Sequence, residues 1–265
     1  MSVADLDESR PLEAARLGEF ILATKNSQLL VLYARRLIPP RLRLEAAAAG
    51  VRVLSMCGAT EETLERAIGV DYWWLESELA RARDWLADQR EVTVSTSAGT
   101  RLSVRLAETR VTALGGLARS PGDIAVLPAG VVGTTLTTGV ASGEIVVDGS
   151  VQGIGLVAEP IRLLVRNGML VDISGGSQAG ELQRRLQEWG AGAQVVSEVG
   201  FGLNPLARYT GSLLEDERVR GSGHLGLGDN THLGGTHQAA GHLDLSLRRA
   251  VFAGGGEVFE LSPID

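Results

Sequence analysis

The sequence predicts an α/β protein: a small N-terminal α/β unit followed by a larger, strand-rich C-terminal domain. Three observations carry this reading. Strand-length apolar runs alternate with helix-length stretches through the first third of the chain. Beyond that point, short alternating segments separated by Gly and Asn turns dominate. The 265 residues, 44% of them hydrophobic, suffice for one large or two small cores. The boundary is placed between a 1–88 unit and an 89–265 domain expected to hold a metal site.

Taken in order, Leu29 to Ala34 (LLVLYA) reads as a strand, and Pro39-Pro40 interrupts the chain after it. Arg41 to Ala49 reads as a helix closed by Gly50 at a C-cap. Val51 to Met56 alternates as a second strand. Helices follow over Glu61 to Ile68 and Tyr72 to Ala87, the latter with Trp74, Leu75, Leu79 and Leu86 on one apolar face. Glu91 to Ser97 and Thr100 to Leu106 form a hairpin around Ala98-Gly99. Strands are expected at Ile124 to Leu127, Ser142 to Asp148, Ile161 to Val165 and Met169 to Ile173, with Asn167-Gly168 as the turn between the last two. Ser177 to Trp189 is a helix presenting Ala179, Leu182, Leu186 and Trp189, and Gln194 to Val199 resumes strand.

Composition excludes several classes of function. A net charge of -7 argues against an electrostatic nucleic-acid binder; Lys25 is the lone lysine. The single cysteine, Cys57, permits no internal disulfide and fits a reducing compartment. It follows a strand and reads as a small buried apolar residue rather than a nucleophile. No apolar run is long enough to span a membrane, and MSVADLDESR lacks the regions of a signal peptide. The expectation is a cytoplasmic protein. The Gly-rich strings lack the strand–GxGxxG–helix context of a dinucleotide site, and no Gly-x-Ser-x-Gly elbow is present.

Chemistry concentrates near the C-terminus. All four histidines, His224, His232, His237 and His242, fall in one Gly-rich stretch with Asp229 and Asp244. Imidazole and carboxylate are the usual ligands of Zn, Fe or Mn. On a strand, His242 and Asp244 at i and i+2 would point into one cavity while Leu243 and Leu245 face the core. Glu198 sits in an apolar strand, where a carboxylate is costly unless paired or bound to a cation, so it is a third contributor. Glu215-Asp216-Glu217 reads as a solvated turn that Arg208, Arg218 or Arg220 could pair with.

The segment EVGFGLNPLARYTGSLLEDERVRGSGHLGLGDNTHLGGTHQAAGHLDL resembles the end of metallo-aminopeptidases of the aminopeptidase T / aminopeptidase S type. The likeness runs back through TSAGTRLSVRL, LPAGVVGTTL, GEIVVDGS and VDISGG, from about Asp71 to Leu247, with a shortened first domain ahead of it. It implies metal ligands at Glu198, His224, His242 and Asp244, and a homodimer. Two positions depart from the family pattern. Pro128-Ala129-Gly130-Val131 lacks the family's metal-binding Glu, and a family tyrosine falls near Thr231 or His232. Two close divalent ions need bridging carboxylates to offset their repulsion, so Val131 puts a two-metal site in doubt. The same superfamily resemblance extends to 2,5-dihydroxypyridine 5,6-dioxygenase, a mononuclear iron enzyme with a comparable His-x-Asp but a histidine where this chain has Glu198.

The resulting expectation is a metal-dependent hydrolase acting on an amide or short peptide-like small molecule. Zn, Mn or Co would activate water, and Glu217 or His232 would serve as the base. The alternatives are an Fe(II) ring-cleaving dioxygenase and a non-catalytic family relic.

Overall fold

The computed structural model describes residues 27–34, 40–106 and 110–262. The acidic N-terminal stretch and Pro39 lie outside them. The chain opens with β1 (Leu29–Ala34), α1 (Pro40–Ala48) and β2 (Arg52–Cys57). β1 and β2 run parallel, from Leu29 opposite Arg52 to Ala34 opposite Cys57, as a βαβ unit requires. α1 stops where expected: Gly50 takes φ +83°, a left-handed conformation open to glycine. A third strand, β6 (Ile124–Val126), lies parallel to β2 on its other side. The sheet of order β1-β2-β6 therefore draws one strand from far along the chain.

Two helices lead out of this unit. In α2 (Glu61–Ala67), the Thr60 hydroxyl caps the first turn by accepting from the Thr63 N–H. In α3 (Tyr72–Asp88), Asp71 accepts from the N–H groups of Trp73 and Trp74. Leu75, Leu79, Ala82 and Leu86 recur at helical spacing and bury the face that packs into the main core.

The rest of the described chain builds two antiparallel seven-stranded sheets. One holds β3 (Glu91–Ser95), β4 (Arg101–Arg105), β8 (Ala141–Val147), β11 (Ile161–Arg166), β12 (Met169–Ser174), β16 (Val251–Gly254) and β17 (Glu257–Val258). Its hairpin turn at Asn167-Gly168 has φ +48° and +76°, the paired positive values that favour Asn-Gly. The other holds β5 (Val111–Leu114), β7 (Val131–Thr135), β9 (Ser150–Val151), β10 (Gly155–Leu156), β13 (Val196–Gly202), β14 (Gly223–Gly228) and β15 (His242–Leu247). Inward residues of both sheets, among them Val92, Val94, Leu102, Val132, Val199, Leu225 and Leu245, share one core with α3 and with α4 (Ser177–Trp189). The mixed α/β, strand-rich class is as expected.

Sequence periodicity did not disclose β5, β7 or β14. The six residues of β14, GHLGLG, are all buried, so they carry no polar–apolar alternation. The acidic Glu215-Asp216-Glu217 segment also differs from expectation. It lies on and just after a short helix, α5 (Leu213–Asp216), with Glu215 and Asp216 fully buried. Glu215 accepts from the Arg66 guanidinium and the Thr63 hydroxyl, while Asp216 accepts from the N–H groups of Thr210 and Gly211. Buried carboxylates persist only with such partners. No helix among the described residues is long and apolar enough to cross a membrane.

Candidate metal centre

The register of four adjacent strands assembles the site. β7, β13, β14 and β15 place Thr135, Glu198, Gly226 and Asp244 in one cross-strand row. Two residues further along, Gly133, Gly200, His224 and Ser246 form a second row on the same face. His242 lies two residues from Asp244 in the other direction. Residues of the opposite parity, Val199, Phe201, Leu225, Leu243 and Leu245, enter the core. His242 and Asp244, at i and i+2, thus share the cavity face, with Leu243 and Leu245 buried behind them.

Glycines alternate with the long side chains for a steric reason. A Cβ on Gly200 would lie 2.2 Å from His224 Cε1 and 2.3 Å from the Val132 carbonyl oxygen. A Cβ on Gly226 would meet His242 Cε1 at 2.7 Å and Glu198 Cβ at 2.8 Å, and one on Gly133 would meet Glu198 Oε1 at 3.0 Å. The glycines make a bare floor across which imidazoles and carboxylates from neighbouring strands converge.

Glu198, His242 and Asp244 each offer a ligand atom, and these atoms all lie within 4.8 Å of one another. His242 Nε2 is 3.0 Å from Asp244 Oδ1 and 3.7 Å from Glu198 Oε2. His224 Nε2 approaches Glu198 Oε1 at 3.4 Å, and its Nδ1 is buried without a partner. The other nitrogen of His242, Nδ1, lies 2.7 Å from the Asp229 carbonyl, which can only accept. That bond places the proton on Nδ1 and turns Nε2 toward the carboxylates, the usual outer support of a metal-ligating histidine.

The two expected bases face the same cavity. The His232 ring meets His242 edge-on at 4.7 Å. Glu217 is held by the Arg218 guanidinium. The fourth histidine, His237, is turned away, with Nε2 2.8 Å from the Gly192 carbonyl. Asn230, unremarked in the sequence, is fully buried and locks this loop. Its side chain donates to the Leu136 and Ser197 carbonyls and accepts from the His237 N–H. The cavity, about 190 Å³, is closed on another side by Arg43, Ser55 and Cys57, none of which the sequence singled out as site residues. Cys57 is free and buried, as expected.

Electrostatics are dominated by crowded carboxylates. Burial works against a charged His242, but Asp244 and Glu198 outweigh it and push its pKa up to about 10. His224 is raised as well: burial opposes the charge, and the Glu198 carboxylate overcomes it. His232 goes the other way, lowered by burial and by neighbouring His242. Burial lifts Glu217 above the usual carboxylate range, against the pull of Arg218. Protons on two imidazoles compensate the acids here, a place a divalent cation can take. Two carboxylates and two imidazoles are the donor types such ions prefer. The converging donors, the orphaned His224 nitrogen and the glycine floor fit a divalent metal ion. Val131, where a second-site carboxylate would stand, is an apolar residue of the cavity wall.

A strand-built cavity with donors for a single metal ion is the class that fold and site define. The chain belongs to the 2,5-dihydroxypyridine 5,6-dioxygenase family, whose model matches residues 7–258. Its fold is similar to the structure of 2,5-dihydroxypyridine dioxygenase from Pseudomonas putida KT2440, with TM-score 0.81 and 22% identity, covering 94% of this chain and 75% of that one. The structure of wild-type AmpT from Thermus thermophilus is also similar, at TM-score 0.62 and 16% identity, covering 90% of this chain and 75% of that one. A comparison with the curated proteins returns no match.

These findings correct the hydrolase expectation. The likeness to AmpT is one of fold alone, and the family is that of the dioxygenase. Glu198 is retained in the cavity, while Val131 stands where the aminopeptidase pattern has a second carboxylate. Without the second carboxylate, the two-ion logic of an aminopeptidase does not apply.

Proposed function

We propose that this chain is a ring-cleaving dioxygenase that uses one non-haem Fe(II) ion to open a hydroxylated heteroaromatic ring. The observation that carries the reading is the group of ligating side chains, Glu198, His242 and Asp244 with His224 beside it, the one such group among the described residues of a chain of this family. These four residues would hold the ion. When bound, it supplies the electron exchange with dioxygen that the protein's own side chains lack.

The remaining roles fall to the chain. The lowered pKa of His232 leaves it neutral at physiological pH, so its ring can accept the proton of a substrate hydroxyl. Leu114, Val126, Val131 and Leu233 line the cavity and offer apolar contact to ring faces while limiting water. Arg218 donates to the Pro128 carbonyl and to Glu217, fixing that carboxylate at the cavity rim. Cytoplasmic residence fits the free thiol of Cys57.

Metal and oxygen dependence test the reading. Activity on hydroxypyridines should appear with Fe(II) in air and vanish under nitrogen or when Zn replaces iron. Activity that persists with Zn under nitrogen would overturn it.

A further inference from the structure

The N-terminal unit does more than complete the fold. Alternation along β2 turns Val53, Ser55 and Cys57 to one buried side. Ser55 and Cys57 line the cavity, joined by Arg43 from α1. This wall belongs to the three-stranded sheet, whereas the histidines and carboxylates stand on β13, β14 and β15 and in the loops beside them.

Two guanidiniums reach the cavity, and they differ. Arg218 is committed to the Pro128 and Leu214 carbonyls and to Glu217. Among the described residues, Arg43 has no hydrogen-bond or ion-pair partner, and the nearby charge it feels includes that of Arg218. Ser55 Oγ, on a residue only 2% exposed, has no partner either. A half-buried guanidinium beside another cation is unfavourable unless something anionic completes it. A planar carboxylate matches the fork of a guanidinium through two parallel N–H donors, and a neighbouring hydroxyl adds a third.

We propose that Arg43 and Ser55 bind a carboxylate carried on the substrate ring, which makes the substrate class a hydroxylated heteroaromatic carboxylate. The ring and its hydroxyl rest on the ring-cleavage reading above; the anion site rests on the cavity wall itself. The carboxylate would sit against the N-terminal unit, with the ring between the aliphatic side chains and its hydroxyl toward His232.

Calorimetric titration of the purified full chain under nitrogen tests this without turnover. The probes are 6-hydroxypyridine-3-carboxylate and its neutral 3-carboxamide. The unmodified protein should bind the carboxylate about 10–100-fold more tightly than the amide, the range expected of charge-assisted hydrogen bonds. Arg43→Gln should remove most of that preference by weakening the carboxylate far more than the amide, and Arg43→Lys should restore part of it. Ser55→Ala should reduce the preference by a smaller factor and serves as the second variant if Arg43→Gln melts early. Equal affinities in the unmodified protein, no measurable carboxylate binding, or an undiminished preference in Arg43→Gln would each overturn the proposal. A clear carboxylate preference without oxygen uptake by the iron-loaded protein supports the anion site and counts against the ring-cleavage reading alone.

Discussion

At the scale of single residues, the centre is four donors whose protons and positions are set by their neighbours. His242 is the pivot, tied to the Asp229 carbonyl through Nδ1 and facing Asp244 and Glu198 through Nε2. His242→Ala should lower bound metal by about tenfold or more, since loss of even an outer partner of a ligand costs 10–100-fold. Elemental analysis after dialysis reads this, with a circular dichroism spectrum to show that the variant is folded. Protonation gives a second prediction. His242 keeps its proton up to about pH 10 in the metal-free protein, and a ligating imidazole must be neutral. Metal binding near neutral pH should therefore release protons, and affinity should rise with pH. Calorimetry in buffers of different ionisation enthalpy measures the release; identical heats in all buffers would contradict it. The His-x-Asp pair was legible because strand periodicity depends only on spacing. Arg43 and Ser55 were not, because their place in the wall depends on how the three-stranded sheet packs, which no local pattern encodes.

At the scale of elements, the centre depends on flat, glycine-floored strands. Gly200→Ala would drive a methyl group into the His224 ring and the Val132 carbonyl, and Gly226→Ala would press on His242 and Glu198. Each should cost about 1–3 kcal/mol of stability, as overpacking does, and reduce metal content as well. Urea unfolding and elemental analysis read the two effects. Gly180 gives the opposite sign: it is exposed at the end of the first turn of α4, with nothing within 4 Å of an added Cβ. Gly180→Ala should stabilise by roughly 0.5–1 kcal/mol through helix propensity, with metal content unchanged. These elements were unevenly legible. β1, β2, the β11–β12 hairpin and the helices α1 to α4 follow period and turn chemistry, whereas α5 falls where a solvated turn was expected. β14 reads as a loop because its glycines, required by the site, erase the strand signal in GHLGLG.

At the scale of the molecule, the larger of two cores among the described residues underlies the metal donors, and the smaller one backs the wall that carries Cys57. Glu198 faces the cavity, while Val199 and Phe201 on the same strand enter the core. Phe201 packs against Phe252 and Phe259 with ring centroids 4.6 and 5.1 Å apart. Phe201→Ala should cost about 3–5 kcal/mol and loosen β13 beneath the metal donors, visible as lower stability together with weaker metal retention. Arg43, Ser55 and Cys57 supply the remaining wall, so the cavity is lined from parts of the chain far apart in sequence. The fold class could be read from alternating segments, but the choice between hydrolysis and oxygen chemistry could not. Both chemistries use His and carboxylate donors, and it is the family match over residues 7–258 that favours the second. Insertion of dioxygen into a ring is the chemistry proposed for this centre, and isotope tracing reads it at the product. Iron-loaded protein supplied with a hydroxypyridine under ¹⁸O₂ should yield a ring-opened product carrying both labelled oxygen atoms, read by mass spectrometry. Product labelled only from H₂¹⁸O would contradict the account.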